Sequence, residues 1–393
     1  MKARRLVPLV LAALLVAAAA VWVSSRNRPE QAAEAGAPLL ASLADSIDAV
    51  SEVRLARGDG TATTLQRRDS GWFVVQRNYP ADLGKLRSLL INLAALHAVE
   101  EKTSDPARYA QLNVEDAAGA QSHSVRIDVA AGERKWSLLL GKPAEPSGGF
   151  VRLSGAAAAL LAQPRIDADP QPARWITTEV LDVAADRVQQ VTVRPAEGPG
   201  YLLAREARGV ADLTLHGVPP GRKAAAPGVV DGVAATLSRL NAQDVKERAA
   251  SAQEHLNRAS FRTFDGLQLD LDGYRDGASA WIRVTAGVDP ETARRFALPS
   301  AAPGEPKPAE AAVAKDSEAK AAPAKGGEAK GAQVKASEAK VADPASEAAA
   351  INARLGAFDF QIPAYQYDAI YRQLRDLLAQ PDHTATAGSK PTK

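Results

Sequence analysis

The stretch "DSGWFVVQRNYPADLGKLRSLLINLAAL", residues 69–96, changes its hydrophobic period partway along. Before Tyr79-Pro80, a turn at Asp69-Ser70-Gly71 feeds an extended run from Trp72 to Val75. After it, Leu83, Leu86, Leu90 and Leu93 fall three, four and three apart, which places them on one face of a helix. Asp82 stands where a carboxylate can accept a backbone N–H and cap that helix. Upstream, "AVSEVRLARGDGTATTLQRR" supplies Val53 and Leu55, a turn at "RGDG", and a return through Thr63 and Leu65. The whole reads as an antiparallel meander followed by a helix, an α+β unit.

Working outward, strands are expected at Val125, Ile127 and Val129, at Trp136, Leu138 and Leu140, and at "FVRL". An alanine-rich helix is expected from Gly155 to Gln163. Much of this order then recurs. Val188, Val191 and Val193 repeat the spacing of Val50, Val53 and Leu55; Val230, Val233, Leu237 and Leu240 repeat three, four and three after a proline. "LQLDLDG" places Leu267, Leu269 and Leu271 beside Asp270 as Val125, Ile127 and Val129 stand beside Asp128, and "SAWIRV" answers "RKWSLLL". Repetition in a shared order marks a duplicated fold unit.

The expected organisation has seven parts. Residues 1–27 hold an N-terminal transmembrane anchor, 28–42 a stalk, and 43–170 a first α+β domain. A second domain begins at 171–300, is interrupted by a disordered insertion at 301–350, and closes with a strand and helix at 351–385. Residues 386–393 form a tail. The anchor rests on "LVPLVLAALLVAAAAVWV", Leu6 to Val23, an uncharged run preceded by Lys2, Arg4 and Arg5. As a helix it rises about 27 Å, near a bilayer's hydrocarbon thickness. A cleaved signal peptide is the rival reading, since "VAAAA" offers small residues for processing. The insertion has no Leu, Ile, Phe, Tyr or Trp, and "SEAK", "GEAK" and "SEAK" recur at 317, 327 and 337. It has too little apolar surface to offset the entropy of ordering. Beyond it, Phe358 and Phe360 mark a short strand and Ile370, Leu374 and Leu377 or Leu378 a helix.

Composition excludes several chemistries. The 393 residues hold 48 basic and 46 acidic side chains, so no strong field draws the chain to nucleic acid. Without cysteine there are no disulfides, thiolate nucleophiles or cysteine-ligated metals. His97, His123, His216, His255 and His383 show no metal-ligand spacing, and zincin, nucleophile-elbow, P-loop and dinucleotide motifs are missing. In "LLLGKP", Gly141 reads as a turn and Lys142 as solvent-facing. No catalytic, cofactor-binding or metal residue and no cofactor is assigned. Two features keep alternatives open. Trp72 either fills the gap between sheet and helix or offers a stacking surface; Asp128 and Asp270 are either solvated strand positions or a symmetric pair of binding groups. The basic cluster Arg54, Arg57, Arg67, Arg68 and Arg77 suits lipid headgroups beside an anchor.

Taken together, "VSEVRLARGDGTATTLQRRDSGWFVVQ", "ADLGKLRSLLINLAAL", "WSLLLGKPAEPSGGFVRL" and "RWITTEVLDVAADRVQQVTV" resemble the DUF4340 domain-containing proteins over about 43–300 and the last folded segment. The family has no assigned biochemical role and brings no catalytic residues. The resemblance implies a bacterial protein anchored by one N-terminal helix, often encoded beside ABC-transporter components. The resulting expectation is a non-enzymatic accessory protein, single-pass in the inner membrane through residues 6–23, with a periplasmic body docking on an ABC-transporter complex. The alternatives are a hydrolase that modifies envelope polysaccharide and a passive binding protein for an envelope ligand.

Overall fold

The structure, a computed structural model, describes residues 36–249, 255–297 and 343–379. Contacts along the chain divide it into two units. The first runs to Val180 and takes in Asn241–Ala250 and Phe358–Pro363; the second comprises Leu181–Leu240, Ser251–Ala357 and Ala364–Lys393.

In the first unit, β1 (Glu52–Arg57), β2 (Ala62–Arg68), β3 (Gly71–Val74) and β4 (Tyr79–Pro80) form the expected meander, and helix α1 (Leu83–Ala94) follows. Asp82 caps α1 as its chemistry dictates, accepting from the Lys85 N–H at 3.1 Å. The helix buries Leu86, Leu89, Leu90 and Leu93, while Leu83 stays 55% exposed in its first turn. Then come β5 (His97–Thr103), β6 (Val125–Ala131), β7 (Arg134–Ala144), β8 (Gly148–Leu153) and β9 (Ala159–Gln163). The nine strands lie in the order β4-β3-β2-β1-β6-β7-β8-β9-β5. Alternation follows the pleat: Val53 pairs with Leu65 and Val129 toward the buried side, whereas Arg54 sits between Thr64 and Asp128 on the outer one. A short antiparallel pair, Asp244–Glu247 with Phe358–Ile362, belongs to this unit.

The second unit repeats the order. Strands β10 (Val188–Arg194), β11 (Tyr201–Ala204) and β12 (Thr214–His216) precede helix α2 (Pro227–Ala234); β13 (Asn257–Thr263), β14 (Leu267–Asp276) and β15 (Ser279–Val288) come later. These strands lie in the order β12-β11-β10-β13-β14-β15. Helix α3 (Pro344–Leu355), which covers residues assigned from sequence partly to the insertion, lays Ala348, Ile351 and Leu355 into the core. Its Asn352 side chain accepts from the N–H of Ala286 at 2.8 Å and donates to that residue's carbonyl at 2.7 Å, continuing the edge of β15.

Several expectations need correction. Gly155–Gln163 is no helix: Ala159–Gln163 is a strand held on both edges, by β8 and β5. Alanine's helix preference loses here because the segment is short, stands between Gly155 and Pro164, and has a strand edge on each side. The repeat also falls one strand out of the expected register. Strand β13 pairs with β10 as β6 pairs with β1, so "NRASFRT", and not "LQLDLDG", is the counterpart of Val125–Ala131. Gly141 makes no turn; it lies inside β7 beside a register shift. A Cβ there would meet the Leu112 carbonyl oxygen at 2.2 Å, so close backbone approach fixes the glycine. Lys142 is exposed as expected.

The membrane-spanning part of the expected fold class is also corrected. Among the described residues no helix is long and apolar enough to cross a membrane. The longest, α1 and α3, have 12 residues each and rise about 18 Å, well short of a hydrocarbon core of roughly 30 Å. The architecture the described residues define is α+β, two units of antiparallel sheet and helix. The run Leu6–Val23 lies outside the described residues, as do residues 298–342 and 380–393. The expectations that rested on the anchor fall with it: an anchored accessory role at a transporter, the bilayer as partner, and an inner-membrane location with a periplasmic body.

One packing contact gives a direct test of the second unit. Gly273 in β14 lies under the Tyr371 ring, and an added Cβ would come within 2.3 Å of it. Tyr371 is buried and its hydroxyl donates to the Leu271 carbonyl at 3.1 Å, so the ring has little room to retreat. Gly273→Ala is expected to destabilise this unit by about 1–3 kcal/mol, as overpacking does, read as a lower urea midpoint.

Candidate functional site

Residues 69–96 build both a piece of scaffold and a surface. Trp72 is on the same side of β3 as buried Val74, so its direction fits the expected core role. It is nevertheless only half-buried, on a strand second from the sheet's edge. There it lines an open groove of about 440 Å³ with Phe73, Pro80, Leu83, Thr177 and Thr178. Phe73 faces Pro80 across the β3–β4 ladder, and the Arg68 guanidinium lies 4.7 Å from the Phe73 ring centroid. The far wall is fixed by backbone: Asp82 N–H donates to the Trp175 carbonyl at 2.7 Å and Thr177 N–H to that of Pro80 at 2.9 Å. The Trp136 and Trp175 indoles donate to the carbonyls of Ala41 and Asp169. The Trp72 N–H donates to no group among the described residues.

A second, more polar groove of about 490 Å³ runs along the other side of α1's first turns, lined by Lys85, Ser88, Asn92, Arg165, Asp167 and Arg174 over Leu89 and Trp175. Much of its charge is spent internally. Lys85 donates to the Arg174 carbonyl at 2.9 Å and pairs with Asp82 at 3.6 Å, and Arg174 pairs with Asp169 at 3.7 Å.

The two aspartates singled out from sequence lie on outer sheet faces, one in each unit. Asp128 accepts from the Ser137 hydroxyl at 2.6 Å and from Arg126 at 2.9 Å. Ser137 is its cross-strand partner on β7. Asp270 stands opposite Ser260 and accepts from the Gln268 amide at 2.8 Å. With the corrected strand equivalence, the cross-strand Asp-Ser pair is kept but its members have changed strands. The duplicated element is the pair on the outer face, and the aspartates themselves are not equivalent.

The basic cluster of the first meander is mostly committed to structure. Arg67 donates to the Asp48 carbonyl at 2.7 Å, Arg68 to Asn78, and Arg57 pairs with Asp59 at 3.9 Å. Arg77 grips Asp244 with two hydrogen bonds of 2.7 and 2.8 Å. That hydrogen bond holds the Arg77 guanidinium above its ordinary pKa against the effect of burial. Arg54 remains an outward group on β1. His97 faces the Ala95 carbonyl at 3.1 Å, His123 lies 3.9 Å from Glu115, His216 and His255 are exposed, and His383 lies outside the described residues. Among the described residues no three metal-ligating side chains gather.

Sequence reasoning missed the arginines that go inside. Arg152 is buried, its Nε donating to the Val114 carbonyl at 2.8 Å and its Nη2 pairing with Asp116, with the guanidinium 4.5 Å from the Tyr109 ring centroid. Its position in the otherwise apolar run "GGFVRL" is the one signal that could have found it.

The described molecule is thus a duplicated α+β protein of two antiparallel-sheet units with open grooves and polar outer faces. Residues 72–259 match the family model described as Domain of unknown function (DUF4340), and over those residues the chain belongs to that family. Comparison with curated proteins and with solved structures found no match.

Proposed function

We propose that this is a non-catalytic saccharide-binding protein whose first unit receives a sugar ring on Trp72. The observation that carries the reading is a half-exposed indole with an unused N–H, set in an open groove whose rim is hydroxylated by Ser70, Thr177 and Thr178. An aromatic plate takes the apolar C–H face of a pyranose while neighbouring polar groups fix its hydroxyls. The groove favours binding over catalysis. Of the two carboxylates that line it, Asp82 is occupied in capping α1 and pairing with Lys85 and Glu179 is exposed, and the cleft is too open to shield a reacting centre from water.

The test is intrinsic-fluorescence titration of the full chain with cellohexaose, maltohexaose and chitohexaose. At least one should bind saturably, and Trp72→Ala should weaken it about tenfold or more, equivalent to ~1.4 kcal/mol. Trp72→Phe should retain part of the affinity. Absence of binding by all three, or an affinity indifferent to Trp72→Ala, would refute the proposal.

A further inference from the structure

Independently of that groove, we infer that the outer face of the second unit's sheet binds the uronic acid residue of an acidic oligosaccharide. Strand pairing lays its side chains out as a grid. One row is Arg194, Arg258, Asp272 and Arg283, each the cross-strand partner of the next; the adjacent row is Thr192, Ser260, Asp270 and Thr285. Together with Arg262 and Gln268, most of these line a shallow depression of about 280 Å³.

The first row holds three guanidiniums and one carboxylate. Arg194 faces Arg258 directly, and like charges so placed on neighbouring strands oppose folding. Asp272 answers Arg258 at 3.7 Å, but Arg194 has no hydrogen-bond or ion-pair partner among the described residues. Nearby, the Arg262 Nε is buried without a hydrogen bond, 3.3 Å from Asp289. With Arg262 already answered by Asp289, it is the exposed Arg194 guanidinium that calls for an anionic group, and its fork matches the two oxygens of a carboxylate.

The aspartates decide which anion. Asp270 and Asp272 lie two apart on one strand and so on one face, where they oppose a second negative charge and reject a phosphate dianion. A uronate brings a single negative charge for Arg194 and Arg258, and its ring hydroxyls can donate to Asp270 and accept from Thr192 and Ser260. The face therefore suits a hydroxyl-rich carboxylate.

Calorimetric titration of the full chain with trigalacturonate, maltotriose and inorganic phosphate tests this. Trigalacturonate should bind with an affinity that falls as salt rises, and Arg194→Ser should weaken it about tenfold or more. Because Arg194 is exposed and unpartnered, that variant should melt as the parent does. Trp72→Ala should leave trigalacturonate binding in place, and any maltotriose binding should be indifferent to Arg194→Ser. Failure of trigalacturonate to bind, equal competition by phosphate, or an affinity unchanged by Arg194→Ser would each overturn the inference.

Discussion

Arg187→Met is expected to destabilise the second unit by about 2–4 kcal/mol, because the arginine is the common partner of two largely buried carboxylates. Its guanidinium donates to Asp265 at 2.7 Å and to Glu347 at 2.9 Å. Side-chain exposure is 26% for the arginine, 15% for Asp265 and 23% for Glu347, so solvent screens the cluster only in part. Asp265 belongs to the turn between β13 and β14, and Glu347 to the first turn of α3, so the triad fastens that helix to a corner of the sheet. Without the cation, two carboxylates share a pocket with nothing to neutralise them. Urea unfolding of the full chain, followed by amide exchange in β14, should report the loss. Adding Asp265→Asn and Glu347→Gln to Arg187→Met should recover a large part of it, as expected if the damage comes from charge left unpaired.

The same cluster sets an acid limit. Hydrogen bonding to Glu347, helped by Asp265, raises the Arg187 pKa against its burial, so the cation persists at every working pH. Burial pushes the Asp265 carboxyl up, but hydrogen bonds from Arg187 and Thr263 outweigh it and hold the group below its ordinary 3.8. A depressed folded pKa gives stability that is complete above the unfolded value and is lost as pH falls through the folded one. This contribution should therefore fade below about pH 4, and Asp265→Asn should flatten the acid limb of the stability profile. An unchanged limb in that variant would show that other carboxylates set it.

Arg205→Met should cost about 3–5 kcal/mol, since it removes a buried donor set and leaves its acceptors in place. Arg205 is 4% exposed. Its Nη1 donates to the carbonyls of Ala185 and Val188 at 2.6 and 2.5 Å, and its Nε to that of Ala211 at 3.0 Å. Relief of the cation's own desolvation works in the other direction, but the buried bond to the Val188 carbonyl and the part-buried ones to Ala185 and Ala211, all charge-assisted at about 1.5–3 kcal/mol each, outweigh it, although the Ala185 carbonyl keeps the Val188 N–H. Its backbone is also held, with Gln189 donating to the Arg205 carbonyl at 2.9 Å. Arg205→Lys should recover only part of the loss, because an ammonium cannot span the same acceptors as a planar fork. Thermal melts of the two variants beside the parent check the order; a parent-like Met variant would contradict it.

The sequence by itself determined the parts governed by local periodicity. Val53, Leu55, Leu65 and Val74 announced a meander with one buried side, Leu86, Leu90 and Leu93 announced a helix, and the recurrence of both announced duplication. These are legible because alternation and the three-four spacing record which face of an element meets the core. Tertiary structure decided the rest. Ala159–Gln163 became a strand because two strand edges were waiting for it, which no local preference records. Trp72 points toward the core as its pattern says, yet it stays half-buried on a strand second from the sheet's edge, a position set by strand order and not by the residue. Arg187 reads as one more surface charge, but its partners lie 78 and 160 residues away along the chain. The arginine row at Arg194 and Arg258 exists only once strand register is set. Pairing across such distances is fixed by the folded topology, and the sequence near each residue holds no trace of it.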